Sequence, residues 1–276
     1  MDETTVLVDE QEIAFGQSTG SEHTGGGRTV VFVHGNSSSA RTWRGLIDGP
    51  FGQRFRCLAP DLPGHGRSAP AVDRSAYSLP GYAATLTGFA RELAAEDAVF
   101  VGWSLGGHIV IEAAPSLPQA AGFFVFGTPP TADAAQMAEA FLPNPALAFG
   151  FSAEVSGQDA LAYASNFVAT GSELALDEFA ADISGTDGAA REGLGASIGE
   201  GRFSDEVAIV AGLSQPLAIA TGDGEQLVSV DYLRRLAAPS LWRGSVQVIA
   251  GAGHAPHRET PQEFTALLEQ FITDLG

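Results

Sequence analysis

The chain contains no lysine, and its 276 residues include a single cysteine, Cys57. Without lysine there can be no phosphate-binding loop of the type that closes on that residue. With one cysteine an internal disulfide is impossible, and a thiolate metal site lacks its ligands. Cys57 lies in the apolar-leaning run Phe55-Arg56-Cys57-Leu58-Ala59 and reads as a buried, inert thiol. Positive charge is scarce: 14 basic residues, all arginine, face 33 acidic ones, for a net charge of -19. Such a surface excludes nucleic acid as a natural partner and disfavours anionic substrates. No apolar stretch approaches the 18 residues of a membrane-crossing helix. The first residues are acidic (Asp2, Glu3, Asp9, Glu10) and carry no basic-then-apolar signal. The expectation is a cytoplasmic protein acting on a small molecule, without a membrane partner and with its oligomeric state left open.

Apolar residues make up 45% of the chain, in short runs broken by Gly and Pro. Two alternating runs, 5–8 and 12–15, read as an antiparallel hairpin at a sheet edge. Apolar strands follow at 29–33, 56–59, 98–101 and 122–126, separated by segments of helical period at 41–47, 79–95 and 105–114. Strands without polar alternation, spaced by helices, indicate a parallel sheet covered on both faces. After Phe126 the pattern changes. From 128 to 213 the chain is alanine-rich and helix-like (132–141, 160–167, 174–183), too long for a connecting loop. Strands resume at 216–220 and 246–249, with helices at 230–236 and from Pro261 to about 272. The fold class is therefore α/β, a mostly parallel sheet with a helical cap inserted after the sixth strand. Its parts are a core of 1–127 and 215–276 and a cap of 128–214.

The strongest chemical signal is Gly102-Trp103-Ser104-Leu105-Gly106, followed by Gly107 and set between a strand and a helix. This is the setting of a nucleophile elbow, in which close-packed glycines let Ser104 project above the sheet. A serine hydroxyl needs a base. His254, in the loop after the last strand, is the preferred candidate, with His257 its competitor. His34 and His65 sit in glycine-flanked loops, His108 lies within the helix after the elbow, too close in sequence to bend back onto Ser104, and His23 is near the amino terminus. The acid belongs after the strand 216–220, where spacing permits Asp223 or Glu225; Asp133 is a further alternative. The Leu105 and Asn36 amides are placed to form an oxyanion hole, with Gly35 allowing the chain to turn. No dinucleotide fingerprint precedes the elbow, and Pro256 interrupts the frame between His254 and His257, so neither a cofactor nor a metal is expected.

His34-Gly35, Asp61-Leu62-Pro63-Gly64-His65-Gly66, the elbow and Gly253-His254 together resemble the α/β-hydrolase superfamily. The chain more narrowly resembles the metal-independent, quorum-quenching N-acyl-homoserine lactonases of that fold. The matching stretches are His34-Gly35-Asn36-Ser37-Ser38-Ser39, Gly102-Trp103-Ser104-Leu105-Gly106-Gly107-His108, Gly127-Thr128-Pro129-Pro130 and Gly253-His254-Ala255-Pro256. The resemblance implies a Ser-His-Glu triad of Ser104, His254 and Glu225, with Asn36 and Leu105 as oxyanion donors and a lactone-contacting tyrosine at Tyr163. It implies hydrolysis of a lactone or ester through an acyl-enzyme, with a general carboxylesterase as the alternative. Gln226-Leu227 departs from the Glu-Pro pair familiar at that point of the loop. Gly35, Trp103, Phe141, Phe149 and Phe151 are candidates to contact the substrate, the cap phenylalanines by housing an acyl chain.

Overall fold

The computed structural model describes residues 1–19 and 27–276. His23 lies outside them. Eight strands form one sheet: β1 (Asp2–Val8), β2 (Gln11–Gln17), β3 (Thr29–Val33), β4 (Arg56–Pro60), β5 (Val99–Trp103), β6 (Gly122–Phe126), β7 (Leu217–Gly222) and β8 (Gln247–Ile249). Their order across the sheet is β1-β2-β4-β3-β5-β6-β7-β8. β1 and β2 are the antiparallel edge; from β4 onward neighbouring strands run parallel. Every residue of β3, β5 and β6 is buried, as expected for strands covered on both faces.

The helices are α1 (Arg44–Ile47), α2 (Pro50–Arg54), α3 (Leu79–Glu92), α4 (Leu105–Ala113), α5 (Ala134–Ala140), α6 (Gly157–Ala164), α7 (Asp177–Gly185), α8 (Gly188–Gly199), α9 (Glu206–Gly212), α10 (Val230–Arg234), α11 (Pro256–Glu259) and α12 (Pro261–Asp274). Helices α5 to α9 make up the insertion between β6 and β7. Several expected boundaries move. The strand expected at 98–101 is β5, which runs on to Trp103. The helix expected at 160–167 is α6, which begins at Gly157 because Ser156 and Asp159 form a reciprocal capping box. The helix expected at 174–183 is α7, and α8 and α9 begin where Asp187 and Asp205 cap their first turns. In this alanine-rich segment side-chain caps, more than apolar period, mark where helices start.

Sheet register places the chemistry. Val33 pairs with Gly102, and Trp103 with Phe126, so the loops after β3, β5 and β6 leave the sheet side by side. Gly222 pairs with Ile249, which sets the loop after β7 beside the loop after β8. All these loops open at the carboxyl edge of the parallel strands, where sheets of this kind gather their ligands.

One buried cation organises the insertion. Arg191 of α8 donates from Nε to the Ser152 carbonyl at 2.6 Å and from one terminal nitrogen to the Ala153 carbonyl at 2.9 Å. The other terminal nitrogen donates to the Ile183 and Thr186 carbonyls at 2.9 and 3.1 Å. Its removal leaves buried carbonyls without donors, a loss beyond that of one neutral hydrogen bond. Arg191→Met is expected to lower the unfolding free energy by about 2–4 kcal/mol. Amide exchange between residues 145 and 187 should rise more than exchange in the strands; denaturant melts and hydrogen-exchange mass spectrometry read the two effects.

Candidate active site

Ser104 stands between β5 and α4 with φ 54° and ψ -119°, a conformation that side chains rarely adopt. Its amide donates to the Phe126 carbonyl at 2.9 Å, and its carbonyl accepts from the Gly107 amide and the Thr128 hydroxyl. A Cβ on Gly102 would lie 2.4 Å from the Gly106 carbonyl oxygen, and one on Gly106 would lie 2.2 Å from that of Val33. The glycines are thus required by the approach of helix to strands. The turn leaves Leu105 as the first residue of α4, and a first-turn amide has no acceptor within its own helix.

His254 is 2% exposed. Its Nδ1 lies 2.9 Å from Glu225 Oε2, and the Glu225 side chain is fully buried. The other carboxylate oxygen accepts from the Leu227 amide at 2.8 Å, so Glu225 is oriented at both ends. The His254 carbonyl accepts from Trp103 Nε1 at 2.8 Å, tying the histidine loop to the residue before Ser104. Gly127 has φ +60°, and a Cβ there would come within 2.8 Å of the imidazole. Of the three acids that the sequence left open, Glu225 meets His254. Asp223 accepts instead from the Gly251 amide at 2.8 Å, and Asp133 caps α5 by accepting from Gln136.

The loop after β3 carries Gly35 against the face of Trp103 and Asn36 into the wall of a cavity of about 250 Å³. Asn36 Nδ2 donates to the Gly150 carbonyl of the insertion at 2.7 Å, so this loop is tied to the cap directly above it. Ser104, Leu105, Tyr163, Phe141 and Phe151 also line the cavity. Trp103, Gly35 and Phe149 are outside its lining: Trp103 lies beneath the elbow with its ring against His254 and His257, and Phe149 packs on the core. His257 is buried between Trp43 and Trp103, its Nε2 2.8 Å from the Thr42 hydroxyl, and so supports the site from below.

The roles of four residues were not legible beforehand. Glu259 accepts from the Gly253 amide at 2.6 Å and from the Ala169 amide at 2.9 Å, clamping the histidine loop to the cap. Gln226, the departure from the expected Glu-Pro pair, donates to the Val168 and Ser165 carbonyls of the cap. His108 and Glu206 meet in the cavity wall. A carboxylate or amide distant in sequence gives no local sign of the carbonyl or amide it will bind. Among the described residues no group of three or more His, Cys, Asp and Glu side chains could hold a metal ion. Burial pushes the lone Cys57 thiol up, away from reactivity.

Two loops are fastened by histidines held neutral. His34 Nε2 accepts from the Leu62 amide at 3.0 Å, which leaves the proton on Nδ1 to donate to the Gly35 carbonyl. Burial lowers His34 to about 4 and His65 to about 3, with the neighbouring His34 lowering His65 further. Both folded values lie below the unfolded one, so the unfolded chain binds more protons between them. Their stabilising contribution is complete above about 6.5 and is lost as pH falls, at about 1.4 kcal/mol per unit for each group. Asp61 and Asp182, raised by burial, act in the opposite sense. The clean readout is a difference: wild type is expected to lose more stability than His65→Gln between pH 7 and pH 5, measured by urea midpoints. Parallel losses in the two proteins would contradict it.

The alpha/beta hydrolase family profile matches residues 30–267. The structure superposes on that of the N-acyl homoserine lactonase AidH bound to N-butanoyl homoserine with a TM-score of 0.92 and 35% identity. That match covers 100% of this chain and 97% of the other. A thermophilic esterase from Thermogutta terrifontis shares the fold at a TM-score of 0.79 and 19% identity, with 100% of this chain and 99% of the other covered. Among curated proteins, an esterase of Mycobacterium tuberculosis is 42% identical over 96 residues, 35% of this chain and 31% of that protein. Matches to the curated relatives span only between 25% and 48% of those proteins' length.

Proposed function

The chain belongs to the alpha/beta hydrolase family, and we propose that it opens the lactone ring of N-acyl-homoserine lactones with Ser104 as nucleophile, His254 as base and Glu225 as the orienting acid. The observation that carries this reading is the buried pair His254–Glu225, 2.9 Å apart and fastened to the elbow through Trp103. Likeness over the full chain to a lactonase seen with N-butanoyl homoserine supports the substrate class. A mostly apolar cavity of about 250 Å³ over Ser104 supports an acyl group of modest length.

In the reaction, His254 takes the Ser104 proton on Nε2 as the oxygen attacks the lactone carbonyl. Nδ1 keeps its proton toward Glu225, whose carboxylate stabilises the imidazolium that forms. The amides of Leu105 and Asn36 take up the charge on the carbonyl oxygen. The C–O ring bond breaks, and His254 gives its proton to the departing alkoxide, which stays attached to the acyl group. A water that loses its proton to His254 then attacks the ester, the Ser104 oxygen leaves by taking that proton from His254, and the ring-opened acid is released. Residues 128–214 act as the cap that shields these steps, on a core of 1–127 and 215–276. Tyr163, packed against Phe167 in the cavity wall, faces the lactone.

A fluorophosphonate probe is expected to label the wild type and not Ser104→Ala. Glu225→Gln should keep the fold and lower kcat about 10³- to 10⁴-fold, because the amide no longer stabilises the imidazolium. A panel of acyl-homoserine lactones and p-nitrophenyl esters decides the substrate class. Ring opening with short acyl chains is expected; activity confined to simple esters would make the protein a carboxylesterase.

A further inference from the structure

His108 and Glu206 share the cavity wall with Ser104 yet take no part in the relay just described. His108 Nδ1 lies 2.8 and 3.0 Å from the two Glu206 carboxylate oxygens. Glu206, 1% exposed at the start of α9, also accepts from the Thr131 amide at 3.0 Å, which holds it in place. Nδ1 is therefore the donor to the carboxylate. Among the described residues His108 Nε2 has no partner, and the side chain keeps 12% exposure at the cavity. A second imidazole–carboxylate pair thus faces the substrate space with one ring nitrogen unspent.

Position says what that nitrogen meets. His108 lies on α4 four residues after Ser104, which caps that helix, about one turn or roughly 6 Å farther along the axis. Helical side chains lean toward the amino end of their helix, so the imidazole reaches back toward a group two or three bonds from the attacked carbonyl. The ring beside His108 is Phe141, at 6.1 Å between centroids, so most of the wall there is apolar. A buried polar group rewards a partner that can bond to it and penalises one that cannot.

We infer that His108, held by Glu206, selects substrates with an amide on the carbon next to the scissile carbonyl by hydrogen bonding to that amide. The inference deepens the lactonase reading, which places such an amide on every substrate, but its test does not depend on it. Glu206 is the positioning residue: it fixes the ring and its tautomer without reaching the substrate.

Two p-nitrophenyl esters of equal chain length serve as probes, the N-butanoylglycinate, which carries the amide, and the heptanoate, which does not. Wild type should prefer the amide ester. His108→Leu should reduce the ratio of the two kcat/KM values about ten-fold, mainly through KM for the amide ester, and Glu206→Gln should reduce it several-fold. The ester ratio reports on His108 whether or not lactones are opened, so failure of the lactonase reading is seen separately. An unchanged ratio in both variants, with or without a common loss of activity, would overturn the inference and leave the pair as a latch between cap and core. If His108→Leu does not fold, Glu206→Gln and His108→Gln carry the comparison.

Discussion

At Ser104 the backbone holds a left-handed turn that costs on the order of 1–3 kcal/mol, and the geometry above the sheet descends from it. Side chains avoid φ 54°, ψ -119° unless the surroundings leave no alternative. Here the alternatives are removed by the Phe126 carbonyl, the Thr128 hydroxyl and glycines packed against strands and loop. Relaxing the turn would swing α4 off the sheet. The Leu105 amide would then leave the position proposed for an oxyanion donor, and His108 would leave the cavity. Strain at one residue thus sets the direction of a helix, one oxyanion donor and the depth of a second polar group.

The insertion is more than a cover. Phe167 accepts from the Ala255 amide at 2.7 Å, Ala169 and Gly253 share the Glu259 carboxylate, and Gln226 reaches the Val168 carbonyl. These bonds run between the insertion and the two loops that carry His254 and Glu225. Asn36 makes the corresponding bond from the loop after β3 to Gly150. The proposed base, the proposed acid and one proposed oxyanion donor are therefore positioned in part by the segment that also walls the cavity. A cap displacement large enough to break these contacts would disturb base geometry as well as access, so substrate enclosure and base alignment are coupled.

The strands, the site of the insertion and the elbow were legible because each leaves a local mark. Unbroken apolar runs mark β3, β5 and β6, and glycines around a serine mark the turn. The choice between Asp223 and Glu225 had no such mark: both lie in one loop, and only the pairing of Gly222 with Ile249 and the turn at Leu227 decide which carboxylate faces His254. Resemblance pointed to Glu225, and the geometry gives a physical reason, since Asp223 is occupied by the Gly251 amide. His108 was the least legible. Its closeness to Ser104 in sequence excludes it as the base, and the same closeness, one turn of helix, puts it in the cavity wall. Its partner Glu206 is 98 residues away, beyond the reach of any spacing argument.

The charge of the molecule acts on the proposed reaction at long range. A neutral lactone carries no penalty on approaching a chain of net charge -19, whereas hydrolysis converts it into a carboxylate. The cavity wall holds the Glu206 carboxylate and no arginine, so no permanently cationic side chain there pairs with that new charge. Product is thus repelled both locally and by the field of the whole protein, while substrate binds by apolar contact and hydrogen bonds that the field leaves alone. The shortage of positive charge therefore also favours release of an anionic product from an apolar pocket.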